Sequence, residues 1–276
     1  MGSDHYFSAS PASPENLRRI RVVLQGREVE VMTAGGVFSP DHVDSGTAVL
    51  LANTPPPPAG GHLLDIGSGW GPISLSLAMA SPHATIWAVD VNERALDLVR
   101  RNAESLGLPH VNAVRPEDVP DDIVFRSIRS NPPIRVGKNE LHGLLEKWIP
   151  RLDERSDAWL VVQRNLGSDS LQRWLAATFE RGYSVHRAAT SRGFRVLRVR
   201  RHGSPPTEPI ALPEPDRRDE SGQRDLPRED QGGRSRQEHV KRAVQVDGPD
   251  AQGTARNLHV PSVRGCRARP VPHGER

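Results

Sequence analysis

Between residues 62 and 200, short apolar runs alternate with stretches whose apolar residues recur at helical spacing. A chain of this kind is restricted to an open α/β architecture with a mostly parallel sheet. The spacing predicts strands over 62–66, 85–90, 111–115, 125–130, 158–163, 183–188 and 194–200. It predicts helices over 71–80, 92–106, 139–148 and 168–179, with Leu96, Val99 and Ala103 on one face of the second. Upstream, 17–24 and 27–32 flank Gln25-Gly26 as a β-hairpin, 44–53 reads as a helix, and four prolines from Pro55 to Pro58 make a stiff link. The segment 125–130 (FRSIRS) resists its assignment. A strand leading to a central site is normally apolar on both faces, and this one carries Arg126 and Arg129.

Composition fixes where the fold stops. All five Trp, five Phe and two Tyr lie at or before Phe194, and beyond His202 the chain has no apolar periodicity. Residues 203–276 are therefore expected to be a disordered tail, since they bury too little to offset the entropy of ordering. The expected division is an N-terminal extension over 1–60, an α/β domain over 61–202 and the tail. A formal charge of +3 does not by itself call for a nucleic-acid partner. The single cysteine, Cys266, leaves no disulfide framework and no cysteine metal site. No apolar run approaches the roughly 18 residues of a membrane span, so a cytoplasmic protein without metal or membrane partner is expected.

Two motifs carry chemistry. Asp65-Ile66-Gly67-Ser68-Gly69-Trp70-Gly71 joins the first strand of the alternating region to its first helix. Gly67, Gly69 and Gly71 allow a tight turn and close backbone approach to a ligand. The spacing is GxGxG, not the GxGxxG that opens onto a pyrophosphate. Asp90, at the end of the next strand, is placed to accept from both hydroxyls of a ribose. An acidic residue at the end of the first strand, Asp65, in place of a phosphate nest suits a cationic, phosphate-free nucleoside such as S-adenosylmethionine. The second motif, Asn131-Pro132-Pro133-Ile134, follows the strand at 125–130, at the carboxyl edge where open α/β sheets bind ligands. Its prolines stiffen the backbone, so that the Asn131 side-chain oxygen and the Pro132 carbonyl can converge on one –NH2 group.

With both motifs in this order, the chain resembles the class I S-adenosylmethionine-dependent methyltransferases, specifically the type that methylates guanine N2 in small-subunit rRNA. The resemblance runs from His5 to about Arg200. It is carried by His5-Tyr6-Phe7-Ser8, Gly36-Val37-Phe38-Ser39, Asp44-Ser45-Gly46-Thr47, the turn from Asp65 to Gly71, Val89-Asp90-Val91-Asn92, and Asn131 through Lys138 (NPPIRVGK). It implies a Rossmann-like, doubly wound, mostly parallel seven-stranded sheet with a small hairpin and helix extension. It also implies S-adenosylmethionine bound by Asp65, Gly67, Gly69, Gly71, Asp90 and Val91, and an acceptor clamp of Asn131 and Pro132. Pro133, Ile134, Arg135, Lys138 and Phe38 or Phe7 would then face the rRNA of the small ribosomal subunit. Ile134 stands where adenine-N6 and glutamine methyltransferases usually carry an aromatic, which favours guanine N2.

This sequence departs from the family pattern at Ser68, Trp70 and Arg126, and in lacking glycine at Asp153-Glu154-Arg155-Ser156. Glu117 and Asp118 are candidates for the adenine amine of the donor. Arg18, Arg19, Arg21, Arg192 and Arg195 are candidate RNA contacts, and His142 reads as a helix-surface residue. The competing expectations are transfer to another amine, in adenine N6, protein glutamine or a small molecule, and a non-catalytic RNA-binding or assembly protein that retains the fold.

Overall fold

Gln25 and Gly26 both take positive φ, 50° and 73°, the geometry that lets a two-residue turn match the twist of the strands it joins. They connect β1 (Arg18–Leu24) and β2 (Arg27–Thr33), paired antiparallel from Arg18 opposite Thr33 to Leu24 opposite Arg27. The computed structural model describes residues 16–203. The His5-Tyr6-Phe7-Ser8 stretch, the expected tail from 204 onward and Cys266 lie outside the described residues.

After the hairpin come α1 (Ser45–Ala52), β3 (Gly60–Ile66), α2 (Pro72–Ala80), β4 (His83–Val89) and α3 (Glu93–Ser105). Then follow β5 (Val111–Val114), β6 (Phe125–Ser130), α4 (Lys138–Trp148), β7 (Leu152–Gln163), α5 (Ser168–Thr178), β8 (Tyr183–Ser191) and β9 (Phe194–Arg201). The seven strands from β3 onward form one sheet in the order β5-β4-β3-β6-β7-β9-β8. It is parallel from β5 to β7, and β9 runs antiparallel to both β7 and β8. This is the expected α/β, Rossmann-like, mostly parallel fold. The chain winds outward from β3 to β5, then returns to β6 on the other side of β3. A crevice therefore opens between the carboxyl ends of β3 and β6, the switch point at which such sheets hold ligands.

Alternate residues of the central strands feed two cores. Leu63, Val161 and Val196 join α2, α3, the hairpin and α1 on one face, through Ile73, Leu98, Val31 and Leu50. Leu64, Ile128 and Leu197 meet α4 and α5 on the other, through Leu145 and Leu175. The hairpin is tied down by Asn102 of α3, which is fully buried. Its Oδ1 accepts from the Met32 amide (2.6 Å), and its Nδ2 donates to the carbonyls of Met32 (2.9 Å) and Trp70 (3.0 Å).

The arginines of β6 have separate explanations. His62 pairs with Phe125 and Leu63 with Ser127, so Arg126 is skipped and sits at a bulge, exposed, with its stem against Gly61. On the other side the register jumps from Leu152 to Asp157. The glycine-free Asp153-Glu154-Arg155-Ser156 lies in that jump, and Arg155 itself takes φ 57°. Strand β7 thus begins six residues before the apolar run that announces it, because bulged pairing with β6 sets its start. Arg129 is buried, donates from Nη2 to the Pro55 carbonyl (2.6 Å), and pairs in register with Asp65 of β3. Burial pulls its guanidinium down to about 10, opposed by the Asp65 charge.

Candidate active site

The turn from β3 into α2 is made by Gly67, Gly69 and Gly71, at φ 74°, 55° and 101°. A Cβ built on Gly69 meets nothing within 4 Å, and one on Gly67 meets only Pro133 Cδ at 4.0 Å. The backbone of these two residues is thus bare toward a cavity of about 290 Å³. Gly71 does something else: a Cβ there would press on Val99 (3.2 Å) and Leu75 (3.3 Å), so this glycine lets α2 pack against α3 and does not line the cavity.

Asp65 also corrects the sequence expectation. It is completely buried below the turn, and its Oδ2 accepts from the amide (2.9 Å) and hydroxyl (2.5 Å) of Ser74. Desolvation pushes its carboxyl up to about 7, opposed by those Ser74 bonds and by Arg129. It anchors the first turn of α2 and does not reach the cavity. Asp90 does: Oδ2 accepts from the Gly69 amide (2.9 Å) and Oδ1 from the Asn92 amide (2.9 Å). Burial raises its pKa, and the backbone donors of Asn92, Gly69 and Val91 oppose the rise. A carboxylate has about four acceptor positions, so beyond these three backbone donors it still has room for a hydroxyl donor.

The segment from Gly35 to Asp44 is strung across the carboxyl ends of the strands. Asn92 Nδ2 donates to the Gly36 carbonyl (2.9 Å), Arg94 Nη1 to the Gly35 carbonyl (2.7 Å) and the indole of the buried Trp70 to the Ser39 carbonyl (3.0 Å). Trp70 is thus accommodated with its polar atom satisfied. The segment delivers Asp44 to the N-terminus of α1, where Oδ2 accepts from the amides of Gly46 (2.7 Å) and Thr47 (3.2 Å) as an N-cap. From the other wall, Asn131 Nδ2 donates to Asp44 Oδ2 (2.8 Å) and to Thr47 Oγ1 (3.1 Å).

The cavity is lined by Gly67, Gly69 and Asp90, by Phe38, and by Asn131, Pro132, Pro133 and Ile134. Both motifs therefore share one space. Asp44, Asn92, Gln163 and Phe194, with the apolar Val37, Ala95 and Leu166, complete it without having been singled out as site residues from the sequence. Asp44 and Asn92 stood in recognised motifs, as did Val37; Gln163 ends β7 and Phe194 begins β9, and nothing local in the sequence marks either as cavity-facing. Val91 is exposed outside the lining, as is Lys138 in the first turn of α4, and Arg135 falls in a single 3-10 turn over Ile134–Val136. Glu117 is ion-paired to Arg115 (2.6 Å), and neither it nor Asp118 reaches the cavity. His142 stacks on Trp174 at 3.7 Å, on the helical face. Arg18 pairs with Asp41 (2.8 Å), Arg19 with Glu30 (3.2 Å) and Arg195 with Asp169. Among the described residues no cluster of His, Cys, Asp and Glu could hold a metal, and no helix is long and apolar enough to cross a membrane.

The sequence pattern of the family described as methyltransferase small domain matches residues 28–198, which run from the hairpin to β9 and include every residue lining the cavity. The chain belongs to that family. It is an S-adenosylmethionine-dependent methyltransferase. The protein YbxB of Bacillus subtilis is 33% identical over 202 residues, covering 72% of this chain and 99% of YbxB. Ribosomal RNA small subunit methyltransferase C of Aeromonas hydrophila is 36% identical over 142 residues, which are 50% of this chain and 40% of that enzyme. The Shewanella amazonensis enzyme of the same name is 28% identical over 163 residues, 47% of its length. The methyltransferase domain here thus spans under half of those rRNA enzymes. Among solved structures, the T. thermophilus 16S rRNA N2 G1207 methyltransferase, in complex with AdoMet and guanosine, superposes with a TM-score of 0.60 at 22% identity. That superposition covers 68% of this chain and 52% of that one, and shows that the methyltransferase fold is shared. The bare Gly67 and Gly69 backbone and the remaining acceptor capacity of Asp90 fit S-adenosylmethionine at this site.

Proposed function

We propose that this methyltransferase acts on an exocyclic amine, and that the amine is guanine N2 in the rRNA of the small ribosomal subunit. The observation that carries the proposal is the single cavity containing the glycine turn, Asp90 and the Asn131–Ile134 motif, with the Asn131 amide nitrogen tied back to Asp44 and Thr47. An amide held that way offers its oxygen, an acceptor, to whatever enters. The names of the Aeromonas and Shewanella relatives support rRNA as the substrate class.

Bound S-adenosylmethionine supplies an already activated methyl, so the protein's work is positioning, an entropic and orientational effect. Gly67 and Gly69 hold the donor by their backbone and Asp90 takes a ribose hydroxyl. Asn131 Oδ1 and the Pro132 carbonyl accept from the two N–H groups of the amine, turning the nitrogen lone pair toward the methyl. The nitrogen gains the methyl as the carbon–sulfur bond breaks, and then loses one proton to water. Ile134 provides no ring, but Phe38 and Phe194 both line the cavity and can flank a planar base. A base reaching this depth must be unpaired or flipped out of its helix. Near the mouth, the Arg164 amide donates to the Gly193 carbonyl (2.8 Å), so that Arg164 and Arg192 lie close together, both exposed. These two, with Arg135 and Lys138, are the proposed phosphate contacts.

The test supplies tritiated methyl donor with small-subunit particles, naked small-subunit rRNA, DNA and protein extract, followed by nucleoside analysis. Label co-migrating with N2-methylguanosine is expected. Label in N6-methyladenosine, DNA or protein overturns the guanine assignment, and incorporation into none of them overturns rRNA as the substrate.

A further inference from the structure

Asn131 has a choice that its backbone does not make for it. Its amide oxygen and nitrogen are nearly isosteric, and the two flips present opposite chemistry to the cavity. An oxygen facing an incoming –NH2 accepts from it; a nitrogen facing it opposes donor to donor. The stiff Pro132-Pro133 backbone fixes where the amide sits but leaves the flip free.

We infer that Asp44, assisted by Thr47, is a positioning residue that locks the Asn131 amide with its oxygen toward the substrate. This deepens the proposed clamp and rests on it. Asp44 Oδ2 lies 2.8 Å from Asn131 Nδ2 and already accepts from the Gly46 and Thr47 amides at 2.7 and 3.2 Å. An ionised carboxylate is acceptor-only. Turning the Asn131 oxygen toward it would set two acceptors against each other and break a charge-assisted bond, so the nitrogen is held there. Thr47 Oγ1, at 3.1 Å from the same nitrogen, adds a second acceptor. The nitrogen's two protons are thereby engaged, and the oxygen is left to the cavity that Asn131 lines.

The surroundings hold Asp44 in place for this work. Its carboxylate is pinned by the first turn of α1, and a Cβ on Gly46 would come within 2.9 Å of both Asp44 Oδ2 and the Phe194 ring. Only glycine there lets carboxylate and ring close over the helix end together. The segment bearing Asp44 is itself fastened at Gly35, Gly36 and Ser39 by side chains of α3 and the glycine turn. The N-terminal extension thus contributes a part of the acceptor site, 87 residues away in sequence from the asparagine it orients.

Asp44→Ser tests this, because serine still caps α1 but gives Asn131 no carboxylate. With tritiated donor and naked small-subunit rRNA, kcat should fall roughly ten- to a hundredfold, the range of one charge-assisted hydrogen bond. S-adenosylmethionine affinity by calorimetry should stay within about twofold. Asp44→Asn, whose oxygen can replace Oδ2, should recover most of the loss. In an Asn131→Ala background, Asp44→Ser should change kcat by less than about twofold, since the two act as a unit. Additive losses would show that Asp44 does not act through Asn131 and would overturn the inference. Full activity of Asn131→Ala alone would instead remove the clamp reading. A readout independent of substrate separates the two: the Asn131 side-chain amide protons should resonate downfield and exchange slowly in the native protein and lose both properties in Asp44→Ser. Identical amide signals in the two proteins would overturn the inference whatever the RNA assay gives.

Discussion

Asp65 and Asp90 stand at the ends of neighbouring parallel strands, yet only one faces the cavity. Asp65 is the penultimate residue of β3 and pairs with Ala88 inside the sheet, so its side chain is committed to the core beneath α2. Asp90 lies one residue past the end of β4, free of the sheet and bonded to the glycine turn. Replacing Asp90 by Ala is therefore expected to weaken S-adenosylmethionine binding by roughly tenfold or more, as hydrogen bonds to a charged group are lost, with little change in turnover at saturating donor. Asn131→Ala should do the reverse, lowering kcat roughly a hundredfold by removing an oriented acceptor while calorimetric donor affinity holds. Unchanged affinity in the first variant or unchanged turnover in the second would reassign that residue. The motif residues were legible because each motif is contiguous and its glycines and prolines announce backbone geometry. Asp44 stood in view as part of a motif without a role. Gln163 and Phe194 carried no local signal, because only the placement of β7 and β9 brings them to the cavity.

At the scale of elements, the sequence was most readable where local chemistry sets a boundary. Asn92 caps α3 by accepting from the amides of Arg94 (3.0 Å) and Ala95 (3.4 Å), Pro72 opens α2, and Gln25-Gly26 closes the hairpin. Where pairing sets the boundary, the sequence was silent. The start of β7 and the tolerance of Arg126 both follow from a bulge that neither strand encodes alone. The bulge also bears on activity. Arg126 lies five residues before Asn131, about 16 Å along an extended strand, and at the opposite end of β6 from the cavity. Arg126→Ala is accordingly expected to leave methyl transfer unchanged and to shift stability by no more than about 0.5 kcal/mol, measured by urea unfolding alongside the transfer assay. A large loss of activity would show that the bulge communicates with the clamp.

For the molecule as a whole, strand register sets the buried Asp65 of β3, bonded to α2, beside the buried Arg129 of β6, bonded to the proline link, and the burial of the Asp65 carboxyl gives folding a pH dependence of definite sign. The Asp65 carboxyl rises from 3.8 to about 7 on folding, chiefly by desolvation. Arg129 descends only to about 10 and keeps its charge throughout this range. Below pH 3.8 the carboxyl is protonated in folded and unfolded chains alike, and its contribution is fully favourable. As pH climbs toward 7 the unfolded chain gives up the proton while the folded chain retains it, so stability is lost progressively, and beyond about 7 the loss levels off. At about 1.4 kcal/mol per pH unit the total is of the order of 4 kcal/mol. Asp65→Asn keeps an oxygen for Ser74 and cannot ionise. Its unfolding free energy relative to the native protein should therefore improve by a few kcal/mol between pH 4 and pH 7, read from urea titrations across that range. Comparing the two proteins at each pH cancels the exposed carboxylates, whose contributions both share. A flat difference, or one of opposite slope, would mean that Asp65 is ionised in the folded state and that the nearby Arg129 serves as its counter-charge, so that Arg129→Met would then be severely destabilising.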